Sequence, residues 1–166
     1  MITGHRDLTP PTTRLVEKAI RRFLAPHAPE MVGVSCLAEG ADQVFADVVL
    51  ELGGLLEVIV VAEQHHLTLP PPHRASYGRL LSRAGTIRRL PFSFPSPEIY
   101  AYANRELLEG ADLMVAVWDG RPENGIGGTA EAVREARNRM IEVQVLWPSG
   151  AARTSVGVSH DNQPTP

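Results

Sequence analysis

The chain has 166 residues, of which 43% are hydrophobic and 21% charged, and its net charge is −3 at neutral pH. These totals predict one ordinary globular domain, and the charge argues against nucleic acid as a partner because no basic excess can hold phosphates. Cys36 is the only cysteine, which excludes an intrachain disulfide and suits a reducing compartment. No apolar run reaches the length of a membrane span and no signal-peptide pattern is evident, so we expect a cytoplasmic protein without membrane contact.

Two helices in the first half of the chain follow from cap residues and apolar spacing. Thr9 and Pro10 predict a helix start, since threonine caps helices and proline suits their first turn. Apolar residues three and four positions apart extend this helix to Leu24 and predict another over 41–52. Short runs rich in apolar and β-branched residues predict strands around these helices, over 1–4, 31–36 and 55–62.

The second half of the chain is less regular. Three consecutive prolines exclude a helix interior and a central strand, so we predict a loop over 63–74. Residues 149–166 lack periodicity and have few large apolar side chains, so we predict a disordered tail after a domain over 1–148. The remaining pattern predicts helices over 73–84, 100–111 and 129–139, and strands over 86–90, 112–118 and 142–147.

The alternation of strands and helices predicts an α/β fold, in which one parallel sheet is covered by helices on both faces. Ligands of such sheets bind beyond the carboxyl ends of the strands. By this rule four loops border the site, at 4–7, 35–42, 62–66 and 119–129. The first, second and fourth combine glycine with short polar residues. We therefore expect these three loops to converge.

The glycine-rich stretch before the last helix has two interpretations. Gly127 and Gly128 allow close approach of the backbone to a ligand, and the N–H groups that start a helix at Thr129 attract phosphate. Alternatively, Thr129 only caps the helix and Glu131 complements its dipole. These residues alone do not decide between the two.

Two other loops carry polar residues that also have two interpretations. Arg6 suits a phosphate or a carboxylate, which its position favours; the alternative is a surface arginine that pairs with Asp7 or a neighbour. Asp42 lies in a first helical turn, where a carboxylate is favoured without any ligand. Cys36 reads as a buried, inert thiol.

Polar residues elsewhere are weaker candidates. Asn104 borders an apolar stripe and needs a partner, either the glycine-rich loop or a ligand, whereas Arg105 reads as a surface charge. No metal site is expected, because the spacing of the nearby possible ligands fits no familiar pattern; these are Glu63, His65, His66 and His73.

Four segments in chain order resemble the SLOG superfamily of Rossmann-like proteins: ITGHRDL, SCLAEGAD, ANRELLEGADLMVAVWDG and GGTAEAVREA. The resemblance covers residues 2–147. SCLAEGAD is similar to the Ser-Gly-x-Ala-x-Gly-x-Asp loop of the DNA-processing A proteins, with Cys36 in place of the glycine. ITGHR and GTAEAVREA look most like the YpsA-like proteins, and the superfamily also includes the lonely-guy phosphoribohydrolases.

This resemblance implies a Rossmann-like three-layer αβα sandwich with a mainly parallel sheet, and a nucleotide or nucleotide-derived ligand at the strand ends. It favours the phosphate-binding interpretation of the glycine-rich loop and a role as a ligand sensor or carrier without a cofactor. It also allows a homodimer, since relatives are often dimers. The ligand-binding residues that the loops would supply are Gly4, His5, Arg6, Ser35, Gly40, Asp42, Asn104, Arg105, Gly127, Gly128 and Thr129.

An N-glycosidase acting on a nucleoside monophosphate or a related nucleotide is the alternative. Glu131 or Asp119 would then be catalytic, stabilising positive charge on the sugar or activating water. The phosphoribohydrolases, however, have their catalytic glutamate where this chain has Ala132, and one residue is about 100° of helix. DNA binding is a third hypothesis, which the net charge and the lack of clustered basic and aromatic residues oppose.

Overall fold

The computed structural model describes residues 1–122 and 127–154. Within these ranges, none of the helices is both long enough and apolar enough to cross a membrane. The strands are β1 (Ile2–Gly4), β2 (Val32–Ser35), β3 (Leu55–Val60), β4 (Thr86–Arg89), β5 (Leu113–Val117) and β6 (Glu142–Val145). The helices are α1 (Pro10–Leu24, followed by a 3₁₀ turn at Ala25–His27), α2 (Ala41–Glu51), α3 (His65–Thr68), α4 (Pro71–Leu81), α5 (Pro97–Leu108) and α6 (Thr129–Asn138).

Helices α1 and α5 each begin at a residue whose side-chain hydroxyl accepts a hydrogen bond from a free backbone N–H group. The Thr9 hydroxyl accepts from the N–H of Thr12 at 3.4 Å, and the Ser96 hydroxyl accepts from the N–H of Ile99 at 3.3 Å. A proline follows each cap in the first turn. The predicted start of α1 is therefore confirmed.

The predicted loop over 63–74 is wrong over most of its length. Helix α3 lies within it, and α4 begins at Pro71. Proline has no N–H group, but N–H groups of a first helical turn have no acceptor within the helix. Pro71 and Pro72 can therefore begin a helix that they could not continue, and the proline run marks a helix start.

All pairings between these strands are parallel, as predicted. Among the described residues, however, the hydrogen-bond ladders form two three-stranded sheets, with orders β1-β5-β6 and β2-β3-β4. The expectation of one sheet is therefore wrong. Strands β1 and β2 are neighbours in space, and we call the boundary between them the seam.

Helices cover both faces of the two sheets, which confirms the predicted α/β class. On one face, Val115 and Val117 of β5 pack with α1 and α2, and Val58 of β3 packs with α4. On the other face, Met114 of β5 and Ile59 of β3 lie in one cluster with residues of α5 and α6. The two sheets therefore share their apolar interior although their ladders are separate.

The last described residues contact the loop after β1 and the first turn of α1, whereas we predict a disordered tail from residue 149. The N–H of Ala152 donates to the buried Thr12 hydroxyl at 2.7 Å, and the N–H of Thr154 donates to the Asp7 carbonyl at 2.6 Å. Residues up to Thr154 are thus held in place by hydrogen bonds, which the apolar pattern of the sequence does not predict. Residues 155–166 lie outside the described residues.

Candidate functional site

A cavity of about 670 Å³ lies at the carboxyl ends of the strands. It is bordered by the loops after β1 and β2 and by the starts of α5 and α6, so the loops expected to converge do meet here. The predicted residues that line it are Gly4, His5, Arg6, Asp42, Asn104, Gly127, Gly128 and Thr129. Five other predicted residues are not among its described lining residues: Ser35, Gly40, Arg105, Asp119 and Glu131.

Glycines let the loops after β1 and β2 come into direct contact. A Cβ on Gly4 would lie 2.5 Å from the Cβ of Ala41, and a Cβ on Gly40 would lie 2.6 Å from the carbonyl oxygens of His5 and Arg6. The N–H of Ala41 donates to the His5 carbonyl at 3.2 Å. Gly40 also has a φ of +80°, which side chains disfavour. Gly40 therefore joins the two loops and does not contact the cavity.

Arg6 extends from the loop after β1 into the cavity, and its side chain remains 45% exposed. It donates to the Tyr100 hydroxyl at 2.8 Å, and its guanidinium lies 4.9 Å from the centre of that ring. Glu39 is 3.7 Å away. Asp7 instead accepts from Arg153 at 3.0 Å through both oxygens, so the carboxylate beside Arg6 is Glu39, a neighbour of the kind that the alternative interpretation expects. Tyr100 thus orients Arg6, a role that its place in an apolar stripe did not suggest.

Asp42 is a buried carboxyl group in the wall of the cavity. The Ser35 hydroxyl donates to it at 3.2 Å and accepts from the N–H of Leu37 at 3.0 Å. Burial raises the pKa of Asp42 to about 6, although hydrogen bonds from Ser35 and from backbone N–H groups of Ala38 and Cys36 oppose this rise. Ser35 therefore supports Asp42 from behind the cavity.

Asp42 should make the domain more stable as the pH falls from about 7 to 5. The pKa of Asp42 is raised from 3.8, its value in an unfolded chain, to about 6 in the folded protein. Its destabilising effect is therefore complete at pH values above about 6 and absent at pH values below 3.8. The difference corresponds to about 3 kcal/mol. We expect Asp42→Asn to raise the thermal midpoint at about pH 7.5, with an advantage over the unmodified protein that shrinks toward pH 5. An advantage that stays constant across this range would contradict the raised pKa.

Asp119 is held outside the cavity by three partners. The Nε2 atom of buried His5, whose ring packs edge-on against Trp147, is 3.1 Å from both the backbone nitrogen and Oδ1 of Asp119. The carboxylate also accepts from the N–H of Arg121 at 3.0 Å and lies 3.8 Å from Arg153. Burial acts to raise the pKa of Asp119, but Arg121, His5 and Arg153 together hold it below its usual value. Asp119 therefore anchors neighbouring segments as a carboxylate.

Glu131 turns away from the cavity and supports the glycine-rich loop. Its carboxylate accepts from the N–H of Gly127 at 2.6 Å and lies in a separate hollow beside Arg105. The Gly127 N–H is thus occupied, whereas the N–H groups of Gly128 and Thr129, which also line the cavity, have no acceptor among the described residues. A catalytic role for Glu131 or Asp119 stays a prediction.

Asn104 fixes the same loop from the side of α5. Its amide donates to the Gly127 carbonyl at 3.2 Å, so its partner is the loop, one of the two expected possibilities. Gly127 has a φ of +80°, and a Cβ there would lie 2.6 Å from the Pro97 carbonyl oxygen. Close packing against α5 therefore requires glycine at this position.

Cys36 and His65 are buried near the cavity. Burial raises the pKa of the Cys36 thiol well above its usual value, which agrees with an inert thiol. His65 is completely buried between the rings of Tyr77 and Tyr100, and neither of its ring nitrogens has a hydrogen-bond partner among the described residues. Burial lowers the pKa of this imidazole to about 4. The described residues contain no group of side chains that could hold a metal ion.

No protein-family model matches the chain, and no curated protein matches it. The structure is similar to DNA processing protein A (DprA) of Streptococcus pneumoniae, with a TM-score of 0.67 and 18% identity over 90% of this chain and 50% of that chain. It is also similar to DprA of Helicobacter pylori, with a TM-score of 0.62 and 16% identity over 92% of this chain and 66% of that chain. This chain therefore spans about half to two thirds of these proteins, and the likeness shows a shared Rossmann-type fold.

The Helicobacter pylori structure describes how that protein binds single-stranded DNA. This finding overturns our expectation against nucleic acid as a partner, which rested on the net charge of −3. A net charge says nothing about where the cations lie, and Arg6 and Arg153 both line the cavity. The net charge therefore does not exclude nucleic acid as a partner.

Proposed function

We propose that the cavity binds a nucleotide or a nucleotide-derived ligand through its phosphate. The observation that carries this proposal is the position of Arg6, which lines the same cavity as the start of α6. A guanidinium offers several donors in one plane, which suits phosphate oxygens. The N–H groups of Gly128 and Thr129 donate to no described residue, and the helix dipole adds positive potential there.

The rest of the cavity suits a nucleoside. Its volume of about 670 Å³ falls within the usual range for small-molecule sites. Asp42 and Glu39 line it and can accept hydrogen bonds from sugar hydroxyls, while Leu107 and Ile2 supply apolar surface. The ligand would thus have its phosphate at Arg6 and its sugar near the carboxyl groups.

Arg6→Ala should weaken binding of the best nucleoside phosphate about 10- to 100-fold, the usual effect of losing hydrogen bonds to a charged group. Calorimetric titration with nucleoside mono- and diphosphates, NAD and ADP-ribose would first identify that ligand. Arg14→Ala is the matched control, because Arg14 is an exposed arginine of α1 that does not line the cavity.

Thermal unfolding of both variants shows whether weaker binding comes from the loss of a ligand contact or from a less stable fold. Equal affinity in Arg6→Ala and Arg14→Ala, with thermal midpoints unchanged, would refute the phosphate assignment. An Arg6→Ala protein that unfolds much earlier should be replaced by Arg6→Gln, which keeps the aliphatic stem and a polar end group and removes the charge.

Single-stranded nucleic acid is the second candidate ligand, and the similarity to the DNA-binding Helicobacter pylori protein favours it. Fluorescence anisotropy of a labelled oligothymidylate, with the same arginine variants, distinguishes the two candidates. An oligonucleotide that contacts several phosphate sites should bind less tightly as salt is added. The slope of the logarithm of the association constant against the logarithm of the salt concentration should be about −0.7 for each phosphate contacted. Binding of a mononucleotide without measurable binding of the oligothymidylate would instead indicate a free nucleotide ligand.

A further inference from the structure

A second cavity, of about 710 Å³, lies at the carboxyl ends of β3 and β4. Helices α3 and α4 complete its walls. The loop after β4 separates it from the first cavity, since residues 90–93 line the second and residues 95–97 line the first. None of the residues that line the second cavity has a role in the proposed phosphate site.

Gly78 lies inside α4 and lines this second cavity. Glycine inside a helix weakens it relative to alanine, so a reason for glycine is expected. The backbone there is helical, and a Cβ on Gly78 would meet no atom within 4 Å. Neither conformation nor packing therefore requires glycine. Its effect is to leave the cavity open beside the backbone of α4.

Arg89 brings an unpaired cation to the same cavity. Neighbouring side chains on a strand point to opposite sides, and Arg88 pairs with Glu57 at 2.7 Å and lies 3.6 Å from Glu106. Arg89 is exposed and lines the cavity, and its side chain makes no hydrogen bond or ion pair with any described residue. Burial raises the pKa of the Tyr77 hydroxyl, and the charge of Arg89 acts in the opposite direction. Arg89 and Tyr77 therefore face the same space.

We propose that the second cavity is a separate binding site for a nucleoside phosphate, with the phosphate on Arg89 and the base against Phe92. Arginine pairs with phosphate oxygens, and aromatic rings stack on bases. Arg74 already donates to two backbone carbonyls, so it adds charge to this site and few further hydrogen bonds. Glu63 is the one carboxylate among the described lining residues, which leaves the site positive overall.

The test uses the full chain with Arg6→Ala, so that the first cavity does not dominate the titration. The probes are AMP, TMP and inorganic phosphate, measured by calorimetry. We expect AMP or TMP to bind this protein more tightly than inorganic phosphate, and Arg89→Ala to weaken that binding at least about tenfold. Arg83→Ala is the matched control, because Arg83 is exposed near the end of α4 and does not line the cavity.

Two substitutions of Gly78 test the shape of the site. Gly78→Leu should fill the opening and prevent nucleotide binding, whereas Gly78→Ala should raise the thermal midpoint and leave most binding intact. The proposal is overturned if neither nucleotide binds the Arg6→Ala protein, or if Arg89→Ala and Gly78→Leu leave affinity unchanged while the proteins stay folded. Because Arg6→Ala tests the first cavity and Arg89→Ala the second, the two proposals fail separately.

A free nucleotide and a nucleotide of a single strand supply the same chemistry to this site. A short oligothymidylate distinguishes these sources in the Arg6→Ala protein. Tighter binding of the oligonucleotide than of TMP, lost in Arg89→Ala, would assign the site to a strand. Equal affinities, lost in the same variant, would assign it to a free nucleotide.

Discussion

Replacing Gly40 with alanine is expected to lower the free energy of unfolding by about 4 kcal/mol and the thermal midpoint by about 10 °C. Gly40 has a φ of +80° and a ψ of −122°, a combination that side chains rarely adopt, with strain of about 1–3 kcal/mol. The new Cβ would also lie 2.6 Å from the carbonyl oxygens of His5 and Arg6. Overpacking of this kind adds about 1–3 kcal/mol. Because the displaced loop carries Arg6, phosphate affinity should fall as well.

Gly110→Ala is the matched control for this prediction. Gly110 also has a positive φ, of +76°, but a Cβ there would meet nothing within 4 Å. Only backbone strain applies, so we expect a loss of about 1 kcal/mol. Thermal or urea unfolding of both variants measures the difference. Equal losses would mean that the two loops do not depend on their close contact.

A chain that ends at Pro148 should be about 3 kcal/mol less stable than one that ends at Thr154. The shorter chain loses the N–H donors of Ala152 and Thr154 and the ion pair between Arg153 and Asp7. Each such interaction contributes about 1 kcal/mol. The thermal midpoint should therefore fall by about 6–12 °C.

Comparing these two chains removes residues 155–166 from both, so the difference reports on residues 149–154 alone. Arg153→Ala in the longer chain should account for about 1 kcal/mol, because both partners of the ion pair are partly exposed. Equal midpoints for the two chains would contradict a structural role for residues 149–154 and would support the predicted domain boundary at 148.

Much of the fold was predictable because its signals are local. The cap at Thr9 acts on a residue three positions away, and the apolar stripe of α1 repeats every three to four residues. The proline run was harder to interpret. Proline is compatible with the first turn of a helix and incompatible with later turns, so its meaning depends on where the helix begins, which the sequence does not state. The break between β1 and β2 could not be predicted from the sequence. Both strands would be apolar whether they belonged to one sheet or to two.

The candidate site was predictable in its location but less so in its contacts. Parallel order brings strand ends to one edge, so the convergence of three loops followed from the topology. The roles of Tyr100 and Glu131 did not follow. Tyr100 is 94 residues from Arg6 in sequence, whereas Glu131 is only four residues from Gly127 and reaches back to its N–H from the first turn of α6. The Arg6–Tyr100 contact depends on a tertiary distance that periodicity cannot supply, and the Glu131 contact is a local one that the sequence left beside other interpretations.

The contact between the end of β1 and the start of α2 has a consequence for the first cavity. Gly4 and Ala41 lie so close that a Cβ on Gly4 would be 2.5 Å from the Cβ of Ala41, and the N–H of Ala41 donates to the His5 carbonyl. The cavity takes His5 and Arg6 from the segment on one side of this contact and Asp42 from the helix on the other. The spacing between these two walls, and with it the size of ligand that fits between them, is therefore fixed by backbone contact between neighbouring segments.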